Sequence, residues 1–149
     1  MKIKNVTILG STGSIGINAL KVIENLKAEI KVIGLSCNKN IDLLINQIKT
    51  FNPLYVSVVD EEAYQALKNK MTGYNIEILK GREGLLEISS MNNNDLIING
   101  LVGSSGMEPT LCAIKKGTNV ALANKESLVM AGPLIKKAMN KSGAKIFPV

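Results

Sequence analysis

A short apolar run, Val6-Thr7-Ile8-Leu9, leads directly into Gly10-Ser11-Thr12-Gly13-Ser14-Ile15-Gly16. Beyond it, Ala19, Leu20, Val22, Ile23 and Leu26 return at helical spacing. No other stretch restricts the fold as much. A strand feeding a helix through a glycine-rich turn is how parallel α/β sheets hold a dinucleotide pyrophosphate. Glycines let phosphate approach the backbone, and the helix N-terminus offers unpaired N–H groups and the positive end of its dipole. The spacing is GxxGxxG rather than GxGxxG, and a tight turn that only packs the first helical turn is spelled the same way. The strand–turn–helix setting favours the nucleotide reading.

The rest of the chain repeats the same alternation. Ile3–Leu9 reads as the first strand and Ser14–Leu26 as the first helix. Strand signals follow at Ile30–Leu35, Tyr55–Val59, Ile76–Leu79, Asp95–Ile98, Asn119–Ala123 and Ala144–Val149. Helical signals fall between them at Ile41–Thr50, from Asp60 through Leu67, at Arg82–Ile88, Glu108–Lys116 and Ser127–Asn140. Met91–Asn94 reads as a polar loop. The expected class is α/β: a Rossmann-like, doubly wound, mainly parallel sheet with helices on both faces. The chain closes on Ile146-Phe147-Pro148-Val149. Exposed edges are normally covered or charged, so this ending reads as a cut at a domain boundary rather than as a terminal edge strand.

Composition removes several function classes. Eighteen Lys and Arg against twelve Asp and Glu leave a net charge of +6, but the lysines are scattered. The aromatics are few (Phe51, Tyr55, Tyr64, Tyr74 and Phe147). A nucleic-acid groove needs clustered basic charge with stacking partners, so no nucleic-acid partner is expected. No apolar run approaches a membrane span, and no signal peptide precedes the first strand. A cytoplasmic protein without a membrane partner is the expectation. Cys37 and Cys112 stand far apart without a CxxC, as reduced thiols would. There is no histidine, which excludes a histidine base or a histidine metal site from this stretch.

Ligands of open α/β sheets collect outside the carboxyl ends of the strands. After the second strand comes Ser36-Cys37-Asn38-Lys39-Asn40, with no carboxylate until Asp42. An NAD site wants an acid here for the ribose hydroxyls. A lysine among small polar side chains suits the 2′-phosphate of NADP(H), while Asn40 also reads as an ordinary helix cap. After Leu96–Ile98, the segment Asn99–Gly106 holds three glycines, either an open ligand region or a flexible connection before Pro109. After Val120–Ala123, Asn124-Lys125-Glu126-Ser127 is the densest polar cluster. Lys125 can hold an anionic substrate and Glu126 a cofactor hydroxyl; equally, Asn124 can cap a helix with Glu126 in its first turn. Paired carboxylates, a Ser/His/Asp set and metal-ligand spacing are all absent at these ends, so no catalytic residue is assigned.

Together, Gly10–Gly16, the Asn38-Lys39-Asn40 loop, Val102-Gly103 through Pro109-Thr110, Leu122-Ala-Asn-Lys-Glu-Ser-Leu-Val129 and Phe147-Pro148-Val149 resemble the 1-deoxy-D-xylulose 5-phosphate reductoisomerase family. The match runs in order along the whole chain. The resemblance implies an N-terminal NADPH-binding domain spanning residues 1–149. The enzyme so implied is bacterial, and it would isomerise and reduce 1-deoxy-D-xylulose 5-phosphate to 2-C-methyl-D-erythritol 4-phosphate in non-mevalonate isoprenoid synthesis. It further implies that Thr12, Gly13, Ser14 and Ile15 contact NADPH phosphates and ribose. By the same resemblance Asn38, Lys39 and Asn40 are expected near the 2′-phosphate, Asn124 and Glu126 at the cofactor, and Lys125 at the sugar-phosphate substrate. The resemblance also implies a divalent metal, Mg²⁺ or Mn²⁺, in the full-length enzyme, with its carboxylates expected after Val149. The full-length enzyme is expected to be a homodimer, and this stretch alone to be inactive.

Two rival readings remain at this level. One is the first domain of another NADP-dependent reductase, such as the amino-acid semialdehyde dehydrogenase type. The other is a non-enzymatic NADPH-sensing module.

Overall fold

The computed structural model describes residues 4–123 and 125–149. Seven strands form one sheet: β1 (Lys4–Leu9), β2 (Ile30–Cys37), β3 (Tyr55–Val58), β4 (Glu77–Lys80), β5 (Leu96–Asn99), β6 (Asn119–Leu122) and β7 (Ile146–Pro148). Their spatial order is β4-β3-β2-β1-β5-β6-β7, and every neighbouring pair is parallel. Parallel neighbours require crossovers, supplied by α1 (Ser14–Glu24), α2 (Ile41–Phe51), α3 (Glu61–Lys70), α4 (Gly81–Ser89), α5 (Met107–Lys115) and α6 (Lys125–Ser142). The doubly wound architecture expected from the sequence is the one observed.

Period-2 alternation sorts the strands between two cores. Val6 and Ile8 face α1, α2 and α3 in one apolar cluster with Leu20, Ile23, Leu44, Ile48 and Leu67. Leu9 and Ile97 face α4, α5 and α6 in the other, with Leu85, Ile88, Ile114 and Ile135. One irregularity occurs in β2. Val6 pairs with Val32 but Thr7 pairs with Gly34, so Ile33 is an extra, bulged residue. The bulge explains why Val32 and Leu35, three apart, share one core.

Local signals set most element ends. Asp60 accepts from the Ala63 N–H at 3.0 Å and caps α3, and Asn40 accepts from Leu43 N–H at 3.2 Å and caps α2. Gly117, at φ +82°, follows the end of α5 as the expected C′ glycine. Three expectations need correction. The second strand continues past Leu35 to Cys37. Gly103–Gly106 is a 3₁₀ turn rather than an open loop. The last helix begins at Lys125 and kinks at Ala131 (φ −116°, ψ 18°), because Pro133 lacks an N–H and its ring crowds the preceding turn. Ile3, at the start of the expected first strand, lies outside the described residues. Among the described residues no helix is long and apolar enough to cross a membrane.

The end of β2 also sets a thiol's chemistry. Cys37 is buried, and burial pushes its thiol up to about 12. The unfolded chain therefore releases this proton at lower pH than the folded chain does. The contribution to stability is whole in neutral solution and is lost as pH rises through the alkaline range toward 12. We expect Cys37 to resist a thiol-specific reagent in the native protein at about pH 8 and to react only after unfolding. Half-buried Cys112 reacts sooner. Rapid native labelling of Cys37, located by mass spectrometry, would contradict this.

Candidate functional site

The winding direction reverses at β1, which lies between β2 on one side and the much later β5 on the other. At such a switch point the two crossovers leave on opposite faces and open a crevice at the carboxyl ends. The glycine turn, Gly10–Gly13, lies here. Gly10 has φ +72°, a conformation side chains disfavour. Gly16 brings α1 against the turn, for a Cβ there would lie 2.4 Å from Gly10 O and 2.5 Å from Ser11 Cα. Gly100, at the tip of β5, abuts Ile15, with an added Cβ 3.1 Å from Ile15 Cβ. The first turn of α1 is thus seated on the tips of both strands.

Gly13 behaves differently. It is the N-cap of α1, extended at φ −83° and ψ 174°, and it offers no side-chain cap. A Cβ there would meet only Gly10 O, at 3.5 Å. The protein's own packing does not require a glycine at this point. A side chain would instead occupy the space in front of the helix N-terminus. No acidic residue lies in the first turn. Among the described residues the amides of Thr12, Ser14 and Ile15 find no protein acceptor. An uncapped, uncharged N-terminus with open space before it fits a phosphate.

The inward side of the turn is fully held. Ser36 Oγ accepts from Gly10 N–H at 2.9 Å, and Ser36 O accepts from Ser11 N–H at 2.8 Å and from Ser11 Oγ at 3.1 Å. Gln47 Nε2 donates to Ser11 O at 2.8 Å. The sequence reading places Ser36 only in the segment offered to the 2′-phosphate, not beneath the glycine turn, and does not include Gln47. The available signal was a polar residue inside an apolar strand and another on the core face of α2.

One strand over, Asn38, Lys39 and Asn40 are exposed at the end of β2. Lys39 makes no ion pair among the described residues. Asp42, the first acid beyond this loop, is paired with Lys70 at 3.6 Å. The loop therefore presents a cation and amides, and the neighbouring Asp60, whose backbone N–H donates to Asn38 O at 3.1 Å, has its carboxylate engaged as the α3 cap. Asn40 Oδ1 is already used as the α2 cap, leaving its amide nitrogen for a ligand.

On the other side of β1, buried Asn99 organises the segment after β5. Its Nδ2 donates to Gly106 O at 3.0 Å and to Thr110 Oγ1 at 2.7 Å, and its Oδ1 accepts from Leu101 N–H at 3.1 Å. Arg82 on α4 donates to Ser105 O at 3.0 Å and lies 3.5 Å from Glu108 Oε1. These contacts explain the 3₁₀ turn. They leave Val102 exposed beside Gly103. A cleft of about 330 Å³ opens between Ile15, Gly100–Gly103, Ala123, Lys125 and Glu126. The Glu126 carboxylate lies 4.0 Å from where a Cβ of Gly103 would stand. Asn124 lies outside the described residues.

The structure thus brings Ile15, Lys125 and Glu126 into one cleft, with Thr12, Gly13 and Ser14 at the neighbouring strand end and Asn38–Asn40 one strand farther. Four adjacent strand ends, β2-β1-β5-β6, span about 14 Å at ordinary strand spacing. That track suits an extended ligand with a central diphosphate. A larger groove, about 570 Å³, lies between α5 and α6 and includes Leu111, Lys115 and Lys141. It sits toward the C-terminal ends of those helices, hence at the amino edge of the sheet, so topology assigns the site to the smaller cleft. Among the described residues no three His, Cys, Asp or Glu side chains come together as a metal cage.

A family profile described as 1-deoxy-D-xylulose 5-phosphate reductoisomerase matches residues 6–132. The reductoisomerase of Thermodesulfovibrio yellowstonii is 49% identical over 146 residues, which is 98% of this chain and 38% of that protein. The solved structure of the Zymomonas mobilis reductoisomerase in complex with NADPH superposes with a TM-score of 0.93 at 37% identity, over 99% of this chain and 38% of that one. A reductoisomerase in complex with NADPH, fosmidomycin and magnesium gives 0.94 at 37% identity, over 98% of this chain and 36% of that one. This chain therefore spans well under half the length of the relatives it matches.

Proposed function

Because this chain belongs to the 1-deoxy-D-xylulose 5-phosphate reductoisomerase family, we propose that residues 1–149 form the NADPH-binding domain of such an enzyme. The observation that carries the reading is the uncapped, acid-free N-terminus of α1 at the β1/β5 switch point. Thr12, Ser14 and Ile15 take the pyrophosphate and adjoining ribose through backbone amides, while Gly13, whose own N–H is held by Gly10 O at 3.1 Å, touches the cofactor by leaving room for its close approach. Asn38, Lys39 and Asn40 take the 2′-phosphate, Lys39 by charge-assisted hydrogen bonds. Ile15 and Val102 flank the nicotinamide end, and Glu126, with Asn124, accepts from cofactor hydroxyls. Lys125, across the same cleft, holds an anionic oxygen of the sugar-phosphate substrate.

NADPH, when bound, supplies the hydride that reduces the rearranged aldehyde to 2-C-methyl-D-erythritol 4-phosphate. The task of this chain is to lay the cofactor along the strand ends and to bring a substrate oxygen to Lys125. The described residues offer no metal cage. The Mg²⁺ or Mn²⁺ carboxylates, the homodimer contacts and the substrate cover belong to the further length that the relatives possess. Turnover then requires that length, in a bacterial cytoplasm and with neither nucleic acid nor membrane as partner.

Calorimetric titration with NADPH and with NADH tests the reading. We expect clear preference for NADPH, and Lys39→Ala to weaken NADPH binding about tenfold with little effect on NADH. Equal affinity for both nucleotides overturns the 2′-phosphate assignment. Binding of neither overturns the domain assignment, and product formation by this chain alone overturns the division of labour.

A further inference from the structure

Gln47 is only 7% exposed and lies on the face of α2 that carries Leu44 and Ile48 into the core. Its Nε2 donates to Ser11 O at 2.8 Å, while its Oε1 has no partner among the described residues. A buried unpaired acceptor costs about as much as one hydrogen bond returns. An apolar side chain of equal length would remove that cost but would leave buried Ser11 O without its donor, so one orphaned acceptor is exchanged for another and a net gain in stability does not account for a glutamine here.

We propose that Gln47 is a positioning residue for the nucleotide, acting through Ser11 to aim the Thr12 N–H at the pyrophosphate. The inference rests on the NADPH-binding reading above. The Ser11–Thr12 peptide is trans, so its carbonyl and its N–H point in opposite directions. Gln47 draws the carbonyl toward α2, which turns the Thr12 N–H away from α2. Ser36 holds the two preceding amides, of Gly10 and Ser11, inward. Gly13 N–H is spent on Gly10 O at 3.1 Å. Thr12 is thus the residue of the turn whose donor direction depends on this one side-chain contact. If Ser11 O is released, the peptide can rotate and the donor leaves the line of the helix axis. Lys39 and its loop are untouched by that rotation.

The test compares this protein with its Gln47→Met variant, which keeps the length and removes both the donor and the orphaned acceptor. We expect NADPH and NADH affinity to fall together, about tenfold, with their ratio unchanged. The thermal midpoint should stay within about 3 °C, which a merely structural role would not allow alongside lost affinity. The second measurement starts from the unsubstituted protein. In the ¹H–¹⁵N spectrum of the unsubstituted protein, the Thr12 amide should shift at saturating NADPH, and in Gln47→Met that shift should shrink while the Lys39 shift persists. Equal NADPH affinity in both proteins overturns this inference alone, as does a bound wild-type protein whose Thr12 amide does not move. A wild-type protein that binds no nucleotide overturns the proposed function and this inference with it.

Discussion

Replacing Gly13 with aspartate will make this protein more stable and unable to hold NADPH. The opposite signs follow from one position. Gly13 is already in an extended conformation that any residue adopts, and a Cβ meets nothing closer than Gly10 O at 3.5 Å. Aspartate there can accept from the free amides of the first turn and place its charge at the positive end of the helix. That adds about 0.5–1 kcal/mol, or roughly 1–4 °C in the thermal midpoint for a chain of this size. The same carboxylate takes the donors, and the space, that a phosphate needs. It also repels the phosphate across a few ångströms. Losing two or three charge-assisted hydrogen bonds should weaken NADPH at least 100-fold, or about 3 kcal/mol. Scanning calorimetry and NADPH titration on the same sample decide the matter. Retained affinity in a stabilised variant means that the diphosphate lies somewhere other than the α1 N-terminus.

Gly16→Ala will lose stability and binding together. Its Cβ would stand 2.4 Å from Gly10 O and 2.5 Å from Ser11 Cα, both backbone atoms that cannot step aside as a flexible side chain can. Either α1 moves outward or the glycine turn is remodelled. Overpacking of this kind costs about 3 kcal/mol or more, and the midpoint should fall by roughly 6–12 °C. Nucleotide affinity should fall well beyond what Lys39→Ala causes, because every amide of the first turn is displaced. A Gly16→Ala protein with a wild-type midpoint and wild-type NADPH affinity would show that α1 can slide freely on the strand tips. The pair of glycine variants thus separates two roles: Gly16 seats the helix, and Gly13 keeps its mouth clear.

How much of this was legible beforehand depended on how local each cause is. The glycine turn, the caps at Asn40 and Asp60 and the alternation of strands and helices are written in neighbouring residues, so periodicity and cap chemistry suffice to find them. β2 appeared to stop at Leu35 because Ser36 breaks the apolar run. Ser36 is buried because it serves the glycine turn 25 residues earlier. The turn at Gly103–Gly106 carries no apolar period of its own. Its shape comes from Asn99 beneath it and from Arg82, 23 residues away. The kink in α6 had a visible cause in Pro133, which the helical reading passed over. Asn94, read as part of a polar loop, is buried and accepts from Thr7 Oγ1 at 2.6 Å across 87 residues. Side chains that tie distant segments together, Gln47 among them, show locally only as a polar residue on an apolar face, which does not name the partner.

The switch point also dictates an order of assembly. β1 pairs with β2 some 26 residues later, but its other edge waits for β5, and the contacts that close this seam, Asn5 with Asp95 and Thr7 with Asn94, reach across 90 and 87 residues. During synthesis, β1 through β4 with α1 to α3 can condense first around their own apolar cluster. Through that interval β1 presents one bare edge and an apolar face bearing Leu9. An unpaired edge of this kind is where strand-to-strand association can start, until Leu96–Asn99 emerges and pairs with β1. The seam where the nucleotide is proposed to lie is therefore the last long-range join of the sheet's centre, and a ligand bridging it would arrive as a late clasp on a protein already half built.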